Sequence, residues 1–183
     1  MNLELYEKTL KKEYVFHGKI IDVRRDEALL PNGKTAIREV VEHHGGVCVA
    51  PVTAGKELIF VKQFRYPYSQ VVLELPAGKL EKDEDAFEAG RRELEEETGC
   101  IAEDYIDCGV FLPSPGYCGE VIHLYAAYNL KQTAMNLDED EFLETERIPL
   151  EKAVNMVMKS EIVDGKSQVL ILKIANLVRE GKI

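Results

Sequence analysis

Four glutamates occupy five positions near the middle of the chain, in the segment RRELEEETG at residues 91–99. They are Glu93, Glu95, Glu96 and Glu97, and two arginines precede them. Like charges this close repel one another, so the segment is either a solvated helix surface or a site that needs negative charge. Converging carboxylates are the ligands that Mg²⁺ and Mn²⁺ prefer, and both ions keep water molecules that phosphates of a substrate can replace.

Helical geometry divides these glutamates. On a helix over residues 84–98, Glu93 and Glu97 lie on one arc and Glu96 lies just beside it. The same arc holds the small and apolar side chains Ala86, Phe87, Ala89, Gly90 and Leu94, whereas Glu88, Arg91 and Glu95 point the other way. A carboxylate facing the core is costly unless a cation pairs with it, which favours a metal site. The alternative is an exposed acidic face with salt bridges from the two arginines, and the arc alone leaves both interpretations open.

The elements around this helix predict the fold. Asp85, with Glu88 three residues later, or Asp83 can cap its N-terminus, and Gly99 is placed as a C-terminal glycine. Strand-like runs precede the helix, including a hairpin around Asn32-Gly33, and two more follow it. Helical segments are predicted from Pro149 to about Lys159 and from Ser167 to Glu180. The order of strands, helix, strands and helices predicts a mixed α/β sandwich.

Composition argues against several classes of function. A net charge of −10 disfavours non-specific binding of nucleic acid or anionic membranes. No stretch approaches the ~20 apolar residues of a membrane span, and the N-terminal segment lacks the apolar core of a signal peptide. The cysteines show neither C-x-x-C spacing nor a zinc pattern; they are Cys48, Cys100, Cys108 and Cys118. We therefore expect a cytoplasmic protein with reduced thiols that binds neither nucleic acid nor membrane.

Residues 78–100, GKLEKDEDAFEAGRRELEEETGC, resemble the Nudix box G-x5-E-x7-R-E-U-x-E-E-x-G-U, in which U is an aliphatic residue. Every specified position matches except the last, where Cys100 stands in place of an aliphatic residue and can serve as a small apolar side chain. The resemblance implies an α/β/α sandwich with a mixed sheet. It also implies hydrolysis of a nucleoside diphosphate linked to another group.

The family pattern also implies roles for individual residues. Two or more Mg²⁺ ions, or Mn²⁺ ions, are expected at the site. Their implied ligands are the carboxylates of Glu93 and Glu97, with Glu96 as a ligand or support, and the backbone carbonyl of Ala77. Arg92 is implied to orient a glutamate through a salt bridge, with Glu84 as the candidate partner.

Segments outside the box resemble the ADP-ribose pyrophosphatase branch of this family. In QFRYPYSQVVLELPAGKLE, Arg65 and Glu74 occupy positions that contact substrate in that branch. Pro115 follows the box by fifteen residues, a spacing associated there with ADP-ribose specificity. From the residues alone, Arg65 could equally be a charge at a sheet edge, Glu74 an outward-facing strand residue and Pro115 part of an ordinary turn.

Hydrolysis also needs a group that accepts a proton from water. In this branch a glutamate of a mobile loop after the box has that role. The acidic segment DEDEFLETE at residues 138–146 is predicted to be such a loop, and its E-x-E pattern points to Glu141, with Glu139 as the alternative. A solvated loop without a specific role is the other interpretation.

The resemblance thus predicts Mg²⁺-dependent hydrolysis of ADP-ribose to AMP and ribose 5-phosphate. Residues 1–44 are expected to form an antiparallel β extension that exchanges strands in a homodimer, and residues 45–183 the Nudix domain. The alternatives are the same chemistry on another nucleoside diphosphate sugar or a dinucleotide, and a non-catalytic module that binds a nucleotide.

Overall fold

The computed structural model describes residues 5–137 and 141–183, which form two compact units. The N-terminal unit comprises the chain up to Gly45 together with Leu112–Val121. The C-terminal unit comprises Gly46–Phe111 and Ile122–Ile183. None of the described helices is long and apolar enough to cross a membrane.

The N-terminal unit is an antiparallel sheet centred on one strand. Its strands are β1 (Lys8–Lys11), β2 (Tyr14–His17), β3 (Asp22–Leu29) and β4 (Thr35–Glu42). β3 pairs with each of the others. The predicted hairpin joins β3 and β4, and Gly33 has a φ of +81°, a backbone conformation that glycine adopts without strain. The antiparallel β extension expected from the sequence is therefore present.

The C-terminal unit contains two sheets. Its strands are β5 (Gly46–Pro51), β6 (Glu57–Arg65), β7 (Gln70–Glu74), β8 (Ala77–Lys79), β9 (Cys100–Phe111), β10 (Ile122–Gln132) and β11 (Leu143–Pro149). One sheet has the order β8-β5-β10-β9, and the other has the order β11-β6-β7. β5 and β10 are parallel while their outer neighbours are antiparallel, so the first sheet is mixed.

Helices cover this mixed sheet on both faces. They are α1 (Ala86–Thr98), α2 (Leu150–Met158) and α3 (Gly165–Arg179). Alternate residues of β5 face opposite layers: Val49 packs in the cluster that contains Leu94 of α1, and Cys48 packs in the cluster that contains Leu170 of α3. All of β5 is consequently buried. This arrangement is the predicted α/β/α sandwich.

The acidic segment departs from the loop predicted for it. β11 begins at Leu143 and pairs with β6, so Glu144 and Glu146 lie on a strand. Glu146 accepts a salt bridge of 2.7 Å from Lys62 on β6. Ile148 is the buried residue of this strand, whereas Glu144 is exposed and Glu146 is partly buried. The high charge of the segment concealed the strand periodicity.

Candidate active site

Helix α1 begins and ends on residues that satisfy its free backbone groups. The side chain of Asp85 accepts hydrogen bonds from the backbone N–H groups of Phe87 and Glu88, at 2.9 and 3.2 Å. Glu88 pairs with Arg91 at 3.2 Å. At the other end Gly99 has a φ of +62°, and its N–H donates to the carbonyl of Glu95. Asp85 is thus the cap rather than Asp83, and α1 covers Ala86–Thr98 of the residues 84–98 predicted to be helical.

The two glutamates that helical periodicity places on the core-facing arc, Glu93 and Glu97, are buried. Glu93 is 7% exposed and Glu97 only 1% exposed. Glu95 is exposed, and Glu96 lies between these extremes. Phe87 departs from the predicted arc: it is 38% exposed and makes edge contacts with two tyrosine rings. The division between buried and solvent-facing carboxylates therefore follows from local helical geometry.

Arg92 joins three carboxylates with one guanidinium. Its Nε lies 3.0 Å from Glu84 Oε1, and its Nη1 lies 2.8 Å from both Glu93 Oε1 and Glu96 Oε2. The hydrogen bond to Glu84 is the main cause of the raised pKa of Arg92. The planar fork of an arginine holds such partners in a fixed geometry. Arg92 therefore orients both Glu93 and Glu96.

The backbone of β8 lies directly against the buried carboxylates. The N–H of Ala77 donates to Glu97 Oε2 at 3.0 Å. A Cβ atom placed on Gly78 would lie 1.8 Å from Glu93 Oε1, so only glycine leaves room for this carboxylate. The residue whose carbonyl is an implied metal ligand, Ala77, is thereby fixed beside Glu97.

Burial makes both glutamates poor anions. It raises the pKa of Glu93 to about 7, although the charge of Arg92 acts in the opposite direction. It raises the pKa of Glu97 to about 8, and the charge of Glu93 adds to this effect. Glu141 lies close enough for its charge to raise both pKa values further.

The chemistry of these donors fits a hard divalent cation. Adjacent buried carboxylates are destabilised as anions, and a cation of high charge density removes that penalty. In the described parts of the chain, no three acidic, histidine or cysteine side chains already form a group spaced to hold an ion. Arg92 engages Glu93 and Glu96 instead, so ligation by Glu96 requires its partly exposed side chain to turn away from Arg92.

A second charged cluster surrounds Glu74 at the end of β7. Glu74 is 2% exposed, which excludes an outward-facing position for it. Arg65 donates to its two carboxylate oxygens at 2.6 and 2.7 Å, and Lys166 Nζ lies 2.5 Å from Oε2. Both oxygens of Glu74 are thus engaged by protein groups, whereas the side chain of Arg65 is 36% exposed.

Two of the remaining predicted residues, Glu141 and Pro115, belong to neither hydrogen-bonded cluster, although Glu141 is near enough to Glu93 and Glu97 to affect their pKa values. Glu141 is partly buried and precedes β11, whereas Glu139 lies outside the described residues. The segment that leads toward Glu141 is tied to the C-terminal end of α1, because Thr133 N–H donates to the carbonyl of Gly99 at 2.6 Å and Asn136 N–H donates to that of Glu96 at 3.1 Å. Pro115 is an exposed residue of the N-terminal unit.

Three residues at the start of α3 contribute to the cluster around Glu74 but were not predicted from the sequence; they are Asp164, Lys166 and Ser167. Asp164 is the N-cap, and its side chain accepts from Ser167 N–H at 3.0 Å. One signal was available: a lysine in the first helical turn is unfavourable beside the positive end of the helix dipole. Such a residue needs a carboxylate partner, here Asp164 and Glu74.

Comparison with known proteins identifies the class to which this fold and site belong. The chain matches the family model described as "NUDIX domain" over residues 34–170. A second model, "Nucleoside diphosphate sugar hydrolase N-terminal domain", matches residues 7–41. The chain belongs to the Nudix family.

Individual relatives extend over nearly the whole chain. It is 44% identical over 165 residues to the ADP-ribose pyrophosphatase of Bacillus subtilis (strain 168), covering 89% of each chain. It is 41% identical over 167 residues to the methanol dehydrogenase activator of Bacillus methanolicus, covering 90% of each. A solved structure described as an ADP compounds hydrolase covers 98% of both chains with a TM-score of 0.85 at 21% identity, which supports the fold.

Proposed function

We propose that this protein is a Nudix pyrophosphohydrolase that hydrolyses ADP-ribose to AMP and ribose 5-phosphate. The observation that carries the proposal is the buried pair Glu93 and Glu97, held between Arg92 and the backbone of β8. The 44% identity to an ADP-ribose pyrophosphatase supports the choice of substrate.

Divalent cations complete this proposal. Mg²⁺, or Mn²⁺, would be held as two or more ions by Glu93, Glu97 and Glu96 together with the carbonyl of Ala77. Such ions neutralise charge on the pyrophosphate oxygens and acidify water, so that hydrolysis proceeds near neutral pH. Arg92 holds the carboxylates in place through the hydrogen bonds described above.

The protein side chains supply binding and proton transfer. Arg65, with its partly exposed guanidinium, binds a phosphate of the substrate, and Glu74 keeps that guanidinium oriented. Glu141, with Glu139 as the alternative, accepts the proton as water adds to one phosphorus. The bond from that phosphorus to the bridging oxygen breaks, and the two monophosphates leave. Pro115 is retained as a proposed determinant of ADP-ribose specificity.

The test is a panel of substrates incubated with the protein and Mg²⁺, with products separated by chromatography. ADP-ribose, a GDP-sugar, a UDP-sugar and NAD⁺ cover the two enzymatic alternatives. Conversion of ADP-ribose to AMP and ribose 5-phosphate is expected to be fastest. Faster cleavage of another compound would overturn only the assignment of ADP-ribose as the substrate. In that case a nucleotide sugar is the favoured alternative substrate, because residues 7–41 match a nucleoside diphosphate sugar hydrolase N-terminal domain. Binding without cleavage, with Mg²⁺ or Mn²⁺, would identify a nucleotide-binding module.

The proposed assembly is a homodimer formed by exchange of N-terminal strands. β1 and β2 are exposed along their whole length, and Leu10, Val15 and Phe16 are each about half exposed. Light scattering tests this proposal, since a monomer at micromolar concentration would contradict it. The proposed compartment is the cytoplasm, in keeping with the free thiols of the cysteines Cys48, Cys100, Cys108 and Cys118.

A further inference from the structure

The first turn of α3 is bonded to the end of β7 by a partly buried lysine and a fully buried serine. Lys166 is 11% exposed, and its Nζ lies 2.5 Å from Glu74 Oε2 and 3.0 Å from Asp164 Oδ1. Ser167 is fully buried, and its Oγ accepts the N–H of Leu75 at 2.8 Å and donates to Asp164 Oδ2 at 2.5 Å. Glu74 and Lys166 are 92 residues apart in sequence.

The charges in this cluster balance. Arg65 and Lys166 are two cations, and Glu74 and Asp164 are two anions, all joined by contacts of 3.0 Å or less. A mostly buried lysine in a first helical turn loses hydration and lies near the positive end of the helix dipole. Both effects destabilise its charge, so the carboxylates of Glu74 and Asp164 must offset them. Lys166 also neutralises part of the charge of Glu74. Without Lys166, Arg65 would have to neutralise all of that charge.

The same contacts extend to the proposed metal ligands through the β7–β8 turn. Leu75 N–H is fixed by Ser167, and Ala77 N–H is fixed by Glu97. Pro76, between them, has no N–H, and its carbonyl accepts the N–H of Val49 at 2.9 Å. The polar backbone groups of this turn are thus bonded to α3, to β5 and to α1 in succession.

We infer that Lys166 is a positioning residue for substrate binding: it holds Glu74, and through Glu74 it keeps the Arg65 guanidinium directed at a phosphate. This inference rests on the proposed function, because it assumes that Arg65 binds substrate. Loss of Lys166 leaves one uncompensated negative charge in the cluster and frees the Glu74 carboxylate to shift together with the Arg65 guanidinium bonded to it. Both effects oppose binding of an anionic substrate more than they oppose the chemical step.

The kinetic test compares Lys166→Met with Lys173→Met. Lys173 lies on the same helix and donates to the carbonyl of Cys108 at 2.8 Å, so the control removes the same charge and one hydrogen bond. We expect Lys166→Met to raise KM for ADP-ribose about tenfold, the scale of one charged hydrogen bond, with kcat changed less than about threefold. Lys166→Arg should recover part of the loss, and Lys173→Met should match the wild type. Equal KM in the Lys166 and Lys173 variants overturns the inference.

A second measurement does not depend on turnover. The Arg65 Nε–H lies in a 2.6 Å hydrogen bond to Glu74, so it should give a shifted, slowly exchanging ¹⁵N NMR signal, assigned by its loss in Arg65→Lys. In Lys166→Met this signal should move or broaden. A signal identical to wild type, together with a lower Tm, would show that Lys166 only supports α3. If Lys166→Met does not fold, Lys166→Gln, which removes the charge but keeps a hydrogen-bond donor, provides the same two measurements. If the wild type fails to cleave ADP-ribose, the proposed function falls while the NMR result still decides the positioning of Arg65.

Discussion

Glu74 and Glu97 are both almost completely buried, at 2% and 1% exposure, yet their pKa values shift in opposite directions. Burial raises the pKa of Glu97 to about 8, with a further contribution from the charge of Glu93. Burial acts on Glu74 in the same sense, but the hydrogen bonds and charges of Arg65 and Lys166 outweigh it and lower the pKa. The two carboxylates differ in their partners and not in their exposure.

The difference separates two kinds of site. The cluster around Glu74 has as many cations as anions and is complete within the protein. The cluster around Glu97 has more carboxyl groups than cations: Arg92 is hydrogen-bonded to Glu84, Glu93 and Glu96, and burial disfavours ionisation of Glu93 and Glu97. A balanced cluster stiffens the protein around a substrate, whereas an unbalanced one gains stability from an added cation.

The largest effect is expected from removing the charge of Glu97. Glu97→Gln should lower kcat for ADP-ribose by about a thousandfold or more, because a carboxylate that ligates the proposed ions is lost. The fold should persist, since a glutamine oxygen can still accept the N–H of Ala77. Steady-state kinetics and circular dichroism measure both quantities. Glu95→Gln, on the exposed side of α1, is the control and should retain wild-type activity; equal activity in both variants would remove Glu97 from the metal site.

The proposed base gives the next effect. Glu141→Gln should lower kcat about a hundredfold or more, the usual contribution of a positioned general base, while KM changes little. Glu144→Gln is the matched control, because Glu144 is an exposed residue of β11. If the Glu141 variant stays active, the base is elsewhere, and Glu139→Gln becomes the deciding measurement.

A substitution at Gly78 tests the close contact between β8 and the carboxylate of Glu93. The Cβ of Gly78→Ala meets the carboxylate of Glu93, so it should displace this side chain and raise the Mg²⁺ concentration for half-maximal activity about tenfold. Gly55→Ala is the control, because its Cβ would meet nothing nearer than 3.7 Å. A Mg²⁺ titration of both variants gives the answer. Unchanged Mg²⁺ dependence in Gly78→Ala would show that Glu93 does not ligate the ion.

The smallest expected effects concern the pH dependence of stability, which should differ between Glu74 and the pair Glu93 and Glu97. Glu93 and Glu97 have folded pKa values of about 7 and about 8 against an ordinary 4.5, so the folded state retains protons that the unfolded state releases. Their contribution to stability is therefore complete below pH 4.5 and is lost as the pH rises through about 8. Glu74 has a lowered pKa, so its contribution is present above 4.5 and is lost as the pH falls through the folded value.

Thermal unfolding in EDTA across this pH range measures both contributions. The Tm should fall by several degrees between about pH 5 and about pH 9, and Glu97→Gln should reduce that fall. Glu74→Gln should instead weaken the dependence on the acid side. Mg²⁺ should raise the Tm more at alkaline than at acidic pH, because it competes with protons for the same carboxylates. An increase of Tm with pH in EDTA would contradict the raised pKa values.

The sequence was most informative where structure is local. The ends of α1 and the burial of Glu93 and Glu97 follow from periodicity and capping residues within one helix. The sandwich follows from the order of the elements, but strand β11 was missed because its charges concealed its alternation. The ends and buried face of α1 can be predicted without knowledge of distant contacts, whereas strand β11 is defined by its pairing with β6.

The second cluster could not be predicted in the same way. Glu74 alternates with apolar residues, which on a one-sided sheet predicts exposure, but here Arg65 and Lys166 enclose it. Lys166 comes from a helix 92 residues later, and the sequence alone gives no rule that brings the two together. Periodicity finds a buried charge on a helix, whereas long-range contacts determine whether that charge is neutralised.

The tether between residues 133–136 and α1 has a consequence for altering the enzyme. Thr133 and Asn136 are bonded to the carbonyls of Gly99 and Glu96, on the helix that carries the proposed metal ligands. The segment that precedes Glu141 in the chain is therefore attached to the same helix that positions Glu93 and Glu97. A loop transplanted from a relative should work only if its attachment to the end of α1 is transplanted with it. Residues 133–136 follow β10 in the chain, so α1 and this distant segment should be exchanged together if the proposed base is to keep its position relative to the proposed metal ligands.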